Sequence, residues 1–183
     1  MNLPNKLTVA RIIMVPFYLA AMVINFKGHF IVAAVLFLVA SITDFLDGNI
    51  ARKTNQVTVF GKLCDPLADK MLTTAALLAF MELGICNIWI PMIILTREFL
   101  VTSFRLVASA QGVVIPAGIL GKIKTISQMV FSTAIIIALA VHGTEPQLFP
   151  LCCNILLGIT AVLTVISGIK YIVDGANLID ITK

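Results

Sequence analysis

The segment Asp44-Phe45-Leu46-Asp47-Gly48-Asn49-Ile50-Ala51-Arg52, followed after eight residues by Gly61-Lys62-Leu63-Cys64-Asp65-Pro66-Leu67-Ala68-Asp69, decides how this chain is read. It holds four of the nine acidic residues in the sequence, and apolar runs flank it on both sides. An aspartate at the centre of a membrane helix costs roughly 2.5–3.5 kcal/mol on insertion scales. Four of them close together therefore require cationic company.

The surrounding composition supplies the membrane. Of 183 residues, 60% are hydrophobic and only 12% charged, with a mean hydropathy of +1.05. A soluble domain of this size would expose more charge. Uncharged runs occupy Ile12–Phe26, Gly28–Thr43, Leu83–Thr96, Leu106–Gly121, Thr125–Thr144 and Pro146–Ile169. A span of about 20 helical residues crosses the hydrocarbon core, fewer where polar residues line a cavity. With the aspartate segments counted as helix, the runs predict six membrane helices near 8–26, 29–52, 58–83, 87–109, 120–142 and 148–174. They form an all-α, polytopic bundle in which residues 1–183 are a single integral membrane domain. The N-terminal apolar run lacks a small-residue cleavage site, so it reads as a retained helix, not a signal peptide. The four cysteines show no metal-ligand spacing and read as small apolar fillers.

The basic residues set the orientation. With six spans, both termini share one side with the turns after the second and fourth helices, and most of the lysines and arginines fall on that side. Lys27 alone lies opposite. The positive-inside bias then puts the termini and the aspartate segment on the cytoplasmic face, where a rim carrying the net charge of +4 meets anionic head groups and phosphates.

On a helix, residues three, four and seven apart share a stripe. Asp44, Asp47, Gly48 and Ala51 are so spaced, and so are Gly61, Asp65 and Asp69. Two helices joined by a cytoplasmic turn can therefore aim four carboxylates at one polar cavity, with Gly48, Ala51 and Gly61 leaving room for a ligand. Unneutralised, such carboxylates repel and protonate. Their hard oxygens suit Mg²⁺, Mn²⁺ or Ca²⁺, and two divalent ions form a clamp for phosphoryl chemistry. A lone DxxD would carry little weight; two spaced pairs interleaved with glycine and Ala-Arg carry much more.

The residues as they stand, DxxDGxxAR then GxxxDxxxD, reproduce the signature of the CDP-alcohol phosphotransferase family, and the resemblance covers essentially the whole chain. It implies a six-helix membrane enzyme that transfers a phosphatidyl group from a CDP-lipid to an alcohol and releases CMP. It further implies that Asp44 and Asp65 contact both of two divalent ions, that Asp47 completes one shell and Asp69 the other, and that Asp69 is the general base. Gly48, Arg52 and Thr58, with Gly61 beside them, match positions on the CDP side. Asn5, Thr8 and Arg11 resemble an additional nucleotide-side segment.

The details Asp65-Pro66-Leu67-Ala68-Asp69-Lys70 and Asn2-Leu3-Pro4-Asn5-Lys6-Leu7-Thr8 are most similar to bacterial phosphatidylglycerophosphate synthases, whose acceptor is sn-glycerol 3-phosphate. A phosphorylated acceptor calls for cations. Arg97 and Arg105 lie eight apart, roughly on one helix face, and Lys122 and Lys124 open the next helix on the same side. These four are the expected acceptor-phosphate ligands. Glu98 sits about 100° around the helix from Arg97 and is not the expected partner of that arginine, although an ion pair there competes with the phosphate role.

Two rivals remain at this point: a related enzyme using inositol phosphate, serine or another alcohol, and a divalent-cation transporter. The transporter predicts aspartates along a path between both faces, whereas here they crowd one. The expected partners are CDP-diacylglycerol, glycerol 3-phosphate, the lipid bilayer and, by resemblance, a second copy of the chain in a bacterial cytoplasmic membrane. Nucleic acid is not among them.

Overall fold

The computed structural model describes residues 3–53, 59–111, 113, 118–144 and 147–176, with side chains outside 3–4, 44–53, 59–66, 69, 110 and 176. Six helices follow one another: α1 (Leu3–Val23), α2 (His29–Lys53), α3 (Val59–Glu82), α4 (Trp89–Ala110), α5 (Ile119–His142) and α6 (Phe149–Ala176). They match the six predicted segments closely. α1 begins earlier than expected, with Pro4 in its first turn, where a missing N–H removes no intrahelical bond. The α1–α2, α3–α4 and α5–α6 turns each contain a glycine with positive φ: Gly28, Gly84 and Gly143.

α1 packs along both α2 and α3, α6 along α4 and α5, and α5 also touches α2 and α3. Each contact follows a helical stripe. In α1 the buried residues include Thr8, Arg11, Val15, Tyr18 and Met22; in α2 they include Ala33, Phe37 and Ala40; in α3 they include Ala68, Leu72, Ala75, Ala76, Ala79 and Phe80. The many alanines let the backbones approach closely, which favours dispersion contacts where lipid offers no hydrophobic drive between helices.

The outside is apolar. Phe17, Ile42, Phe99, Leu106, Ile126, Val141, Val162 and Ile169 are all exposed, while Arg11, Lys124, Gln128, Ser132, Thr160 and Thr164 are buried. That inversion of the usual soluble pattern is what a lipid surround imposes. Among the described residues, Asn5–Val23, Ile119–His142 and Phe149–Gly175 are long and apolar enough to cross a membrane, and His29–Thr43 is a shorter apolar helix. The thiols of Cys86 and Cys153 are buried and that of Cys152 is exposed. Burial, with Cys153 nearby, pushes the Cys86 thiol up to about 11, which leaves it protonated and unreactive at neutral pH.

Candidate active site

Register carries the buried stripes of α2 and α3 into the aspartate segment. Ala33, Phe37 and Ala40 are followed at four- and three-residue steps by positions 44, 47 and 51, all on the helical backbone of α2. In α3 the face of Leu72 and Ala76 runs back through positions 69, 65 and 61. Both aspartate pairs thus occupy the register of buried faces of α2 and α3. The side chains of Asp44, Asp47, Gly48, Arg52, Gly61, Asp65 and Asp69, and the whole of Thr58, lie outside the described residues. Among the described residues, no three histidine, cysteine or acidic side chains gather in a way that could hold a metal.

α1 delivers the nucleotide-side candidates. Asn5 (7% exposed), Thr8 (0%) and Arg11 (0%) continue the stripe of Val15, Tyr18 and Met22 toward the N-terminus. The polar end of one continuous face is thereby turned toward α2 and α3. A fully buried arginine in an apolar helix is tolerated only among groups that match its charge or hydrogen-bonding capacity.

The second half of the bundle holds a cationic cluster. Arg97 Nη1 lies 3.1 Å from Glu98 Oε1, and Lys124 Nζ donates to the same oxygen at 2.7 Å. Arg97 Nη2 donates to Ser167 Oγ at 3.0 Å, and Ser167 Oγ in turn donates to the Thr164 carbonyl at 3.0 Å. The expectation that Glu98 would not partner Arg97 is therefore corrected. The two Cα positions diverge around α4, but both side chains are long enough to bend into the space facing α5 and α6, where Lys124 draws the carboxylate in.

The other two expected cations stand apart. Arg105 Nε is 3.4 Å from Tyr171 Oη, and its guanidinium carbon lies 5.7 Å from the centroid of the Tyr171 ring, a cation–π distance. Lys122 is exposed, whereas Lys124, two residues on, is buried. Of the four cations grouped from sequence, the structure brings Arg97 and Lys124 together, sets Arg105 two turns along α4, and leaves Lys122 on the outer side of α5.

Residues the sequence analysis did not select complete the cluster. Lys70 directly follows Asp69, and its Nζ donates to Thr102 Oγ1. Thr102 Oγ1 donates to the Glu98 carbonyl at 2.7 Å, so the aspartate-bearing end of α3 abuts the cationic turn of α4. Between α3, α4 and α5, a cavity of about 20 Å³ is lined in part by Lys70, Thr73, Thr74, Glu98 and Gln128, enough room for one water. The signal for Ser167 and Tyr171 was present: Thr160, Thr164, Ser167 and Tyr171 recur at helical spacing in an otherwise apolar segment, as do Lys124, Gln128 and Ser132.

Comparison with known proteins gives the relationship. The profile of the family described as CDP-alcohol phosphatidyltransferase matches residues 1–167. This chain belongs to the CDP-alcohol phosphatidyltransferase family. It is 40% identical over 185 aligned residues to the CDP-diacylglycerol–glycerol-3-phosphate 3-phosphatidyltransferase of Bacillus subtilis strain 168, with 93% of each chain covered. The protein of that name in Rickettsia bellii is 41% identical over 170 residues, again with 93% of each chain covered. A probable phosphatidylglycerophosphate synthase of Mycobacterium tuberculosis H37Rv is 38% identical over 174 residues, covering 93% of this chain and 80% of the relative. Within this family member, the aspartate segment lies on α2 and α3, and a cationic cluster lies on α4 and α5, with Ser167 and Tyr171 reaching it from α6.

Proposed function

We propose that this chain transfers the phosphatidyl group of CDP-diacylglycerol to sn-glycerol 3-phosphate, yielding phosphatidylglycerophosphate and CMP. The observation that carries the choice of acceptor is the Arg97–Glu98–Lys124 cluster. The buried Lys124 and the half-buried Arg97 share one carboxylate oxygen, which leaves a surplus of positive charge beside the aspartate-bearing helix. A phosphorylated alcohol balances that surplus; serine does not. Relatives named for this reaction over 93% of the chain support the same acceptor.

Asp44, Asp47, Asp65 and Asp69 would hold two Mg²⁺ or Mn²⁺ ions, and Asp44 and Asp65 would serve both. When bound, such ions supply Lewis-acid polarisation of the diphosphate. Asp69 accepts the proton of the acceptor hydroxyl. A bond forms between that oxygen and the phosphorus of the phosphatidyl group, the bond from this phosphorus to the oxygen of CMP breaks, and CMP departs with the electron pair. Asn5, Thr8 and Arg11 of α1, with Gly48, Arg52, Thr58 and Gly61, hold the CDP side. Arg97 and Lys124, with Arg105 and Lys122 further out, draw in the acceptor phosphate. All six helices cross a bacterial cytoplasmic membrane, the cavity between them opens to the cytoplasm, and the working unit is a homodimer.

The test is CMP release by the purified full chain with CDP-diacylglycerol, Mg²⁺ or Mn²⁺, and a panel of acceptors. Glycerol 3-phosphate should be preferred over inositol phosphate, serine and glycerol by at least about tenfold in kcat/KM, a margin of roughly 1.4 kcal/mol. Equal use of unphosphorylated glycerol would remove the acceptor assignment.

A further inference from the structure

Arg97 lies against a gap in α6 that a glycine leaves open. A Cβ placed at Gly168 would stand 2.8 Å from Arg97 Cγ, 3.5 Å from Nε and 3.7 Å from Cδ. The closest atom belongs to the base of the side chain, not to its flexible tip, so relief requires moving the whole arginine or the helix. Arg97 has little freedom to yield. Its two terminal nitrogens are held by Glu98 and Ser167, and its side chain is 13% exposed. On the α5 side, a Cβ at Gly121 would meet Nη2 at 3.7 Å, an ordinary contact. Gly158, one helical stretch earlier in α6, would meet nothing within 4 Å.

We propose that the Ser167–Gly168 step of α6 positions the acceptor: the notch at Gly168 and the Ser167 hydroxyl fix where the Arg97 guanidinium stands, and thereby select for a phosphorylated alcohol. This deepens the acceptor assignment above and rests on it. A guanidinium recognises phosphate through directional, charge-assisted hydrogen bonds, and a misplacement of about 1 Å is enough to lose up to 100-fold where geometry is demanding. Gly168 lacks a positive φ, so backbone conformation gives no reason for glycine there, whereas space for Arg97 does. Gly168 and Ser167 are positioning residues, because they act through Arg97.

The experiment compares Gly168→Ala, Ser167→Ala, Arg97→Ala and the double variant Arg97→Ala/Gly168→Ala in the full chain, with Gly158→Ala as control. Gly168→Ala should raise KM for glycerol 3-phosphate about tenfold, leave KM for CDP-diacylglycerol unchanged and alter kcat by less than about threefold. Ser167→Ala, which adds no bulk and so folds if Gly168→Ala does not, should move the same constant in the same direction. In the Arg97→Ala background, Gly168→Ala should add less than about twofold, the non-additivity of residues acting as one unit. A Gly168→Ala variant as active as Gly158→Ala, or one whose effect persists undiminished without Arg97, overturns the inference while leaving the acceptor site intact. An Arg97→Ala variant with unaltered acceptor KM overturns both.

Discussion

The Lys124 ammonium of α5 lies 2.7 Å from Glu98 Oε1 of α4, the oxygen that Arg97 also reaches. Glu98 is thus the anion that makes a buried lysine and a half-buried arginine tolerable in an apolar bundle, and through them it joins α4, α5 and α6. Breaking a buried pair by removing one partner typically costs about 3–5 kcal/mol, because the remaining charge stays buried. At 21% exposure, Glu98 belongs at the low end of that range. Glu98→Gln should therefore lower the thermal midpoint in detergent by roughly 6–12 °C, given about 2–4 °C per kcal/mol for a chain of this length. Thermal unfolding monitored with and without Lys124→Met checks this. The double variant should be at least as stable as Glu98→Gln alone, and a midpoint unmoved by Glu98→Gln contradicts the role.

Lys122 and Lys124 provide an internal comparison, since one is exposed and the other buried against Glu98. Hydrogen bonds involving a charged group are worth about 1.5–3 kcal/mol, or roughly 10- to 150-fold in a binding constant. Lys124→Ala should raise KM for glycerol 3-phosphate at least about tenfold, whereas an exposed surface charge is worth under about 1 kcal/mol. Lys122→Ala should therefore change it less than about fivefold. Steady-state kinetics at saturating CDP-diacylglycerol measure the contrast, and equal effects of the two substitutions would remove the distinction drawn from burial.

Tyr171 offers Arg105 both a hydroxyl and a ring face. The 3.4 Å hydrogen bond is long, and the cation–π contact is worth about 0.5–2 kcal/mol. Tyr171→Phe should leave the acceptor KM within about twofold, while Tyr171→Ala should raise it by about two- to thirtyfold, following the range for the ring contact. A loss with phenylalanine equal to the loss with alanine would transfer the role from the ring to the hydroxyl.

The helices were legible because each apolar run is bounded by charge or by a turn glycine, and six segments of near-uniform length leave few alternatives. Spacing alone assigns the aspartate pairs a face, and Ala40 in α2 and Leu72 in α3 are buried in the same register, while the aspartate side chains themselves lie outside the described residues. What the sequence hid was side-chain reach between helices. Helical angle separates Arg97 from Glu98, yet their ends meet because Lys124 and Ser167 arrive from α5 and α6. Lys122 and Lys124 look equivalent in the sequence and differ only once α5 packs. Gly168 could not be singled out either, since one small residue in a membrane helix announces nothing until an arginine is found lying in its notch.

Asp69 is expected both to bind a metal and to accept the acceptor proton, and one comparison separates the two duties. Its backbone lies in the register of the buried Leu72–Ala76 face, one residue before Lys70, whose ammonium reaches Thr102 on the cationic helix. That backbone position lies where α3 meets α4. General-base catalysis contributes about 10²–10⁴-fold, so Asp69→Asn should reduce CMP release by that factor at any metal concentration. Asp47→Asn should also slow the enzyme, but a weakened metal shell is refilled by mass action. Its activity should therefore climb toward that of the unaltered protein as Mn²⁺ is raised. Initial rates titrated with Mn²⁺ for both variants decide it: recovery of Asp69→Asn at high metal would reduce Asp69 to a ligand and leave the proton to another base.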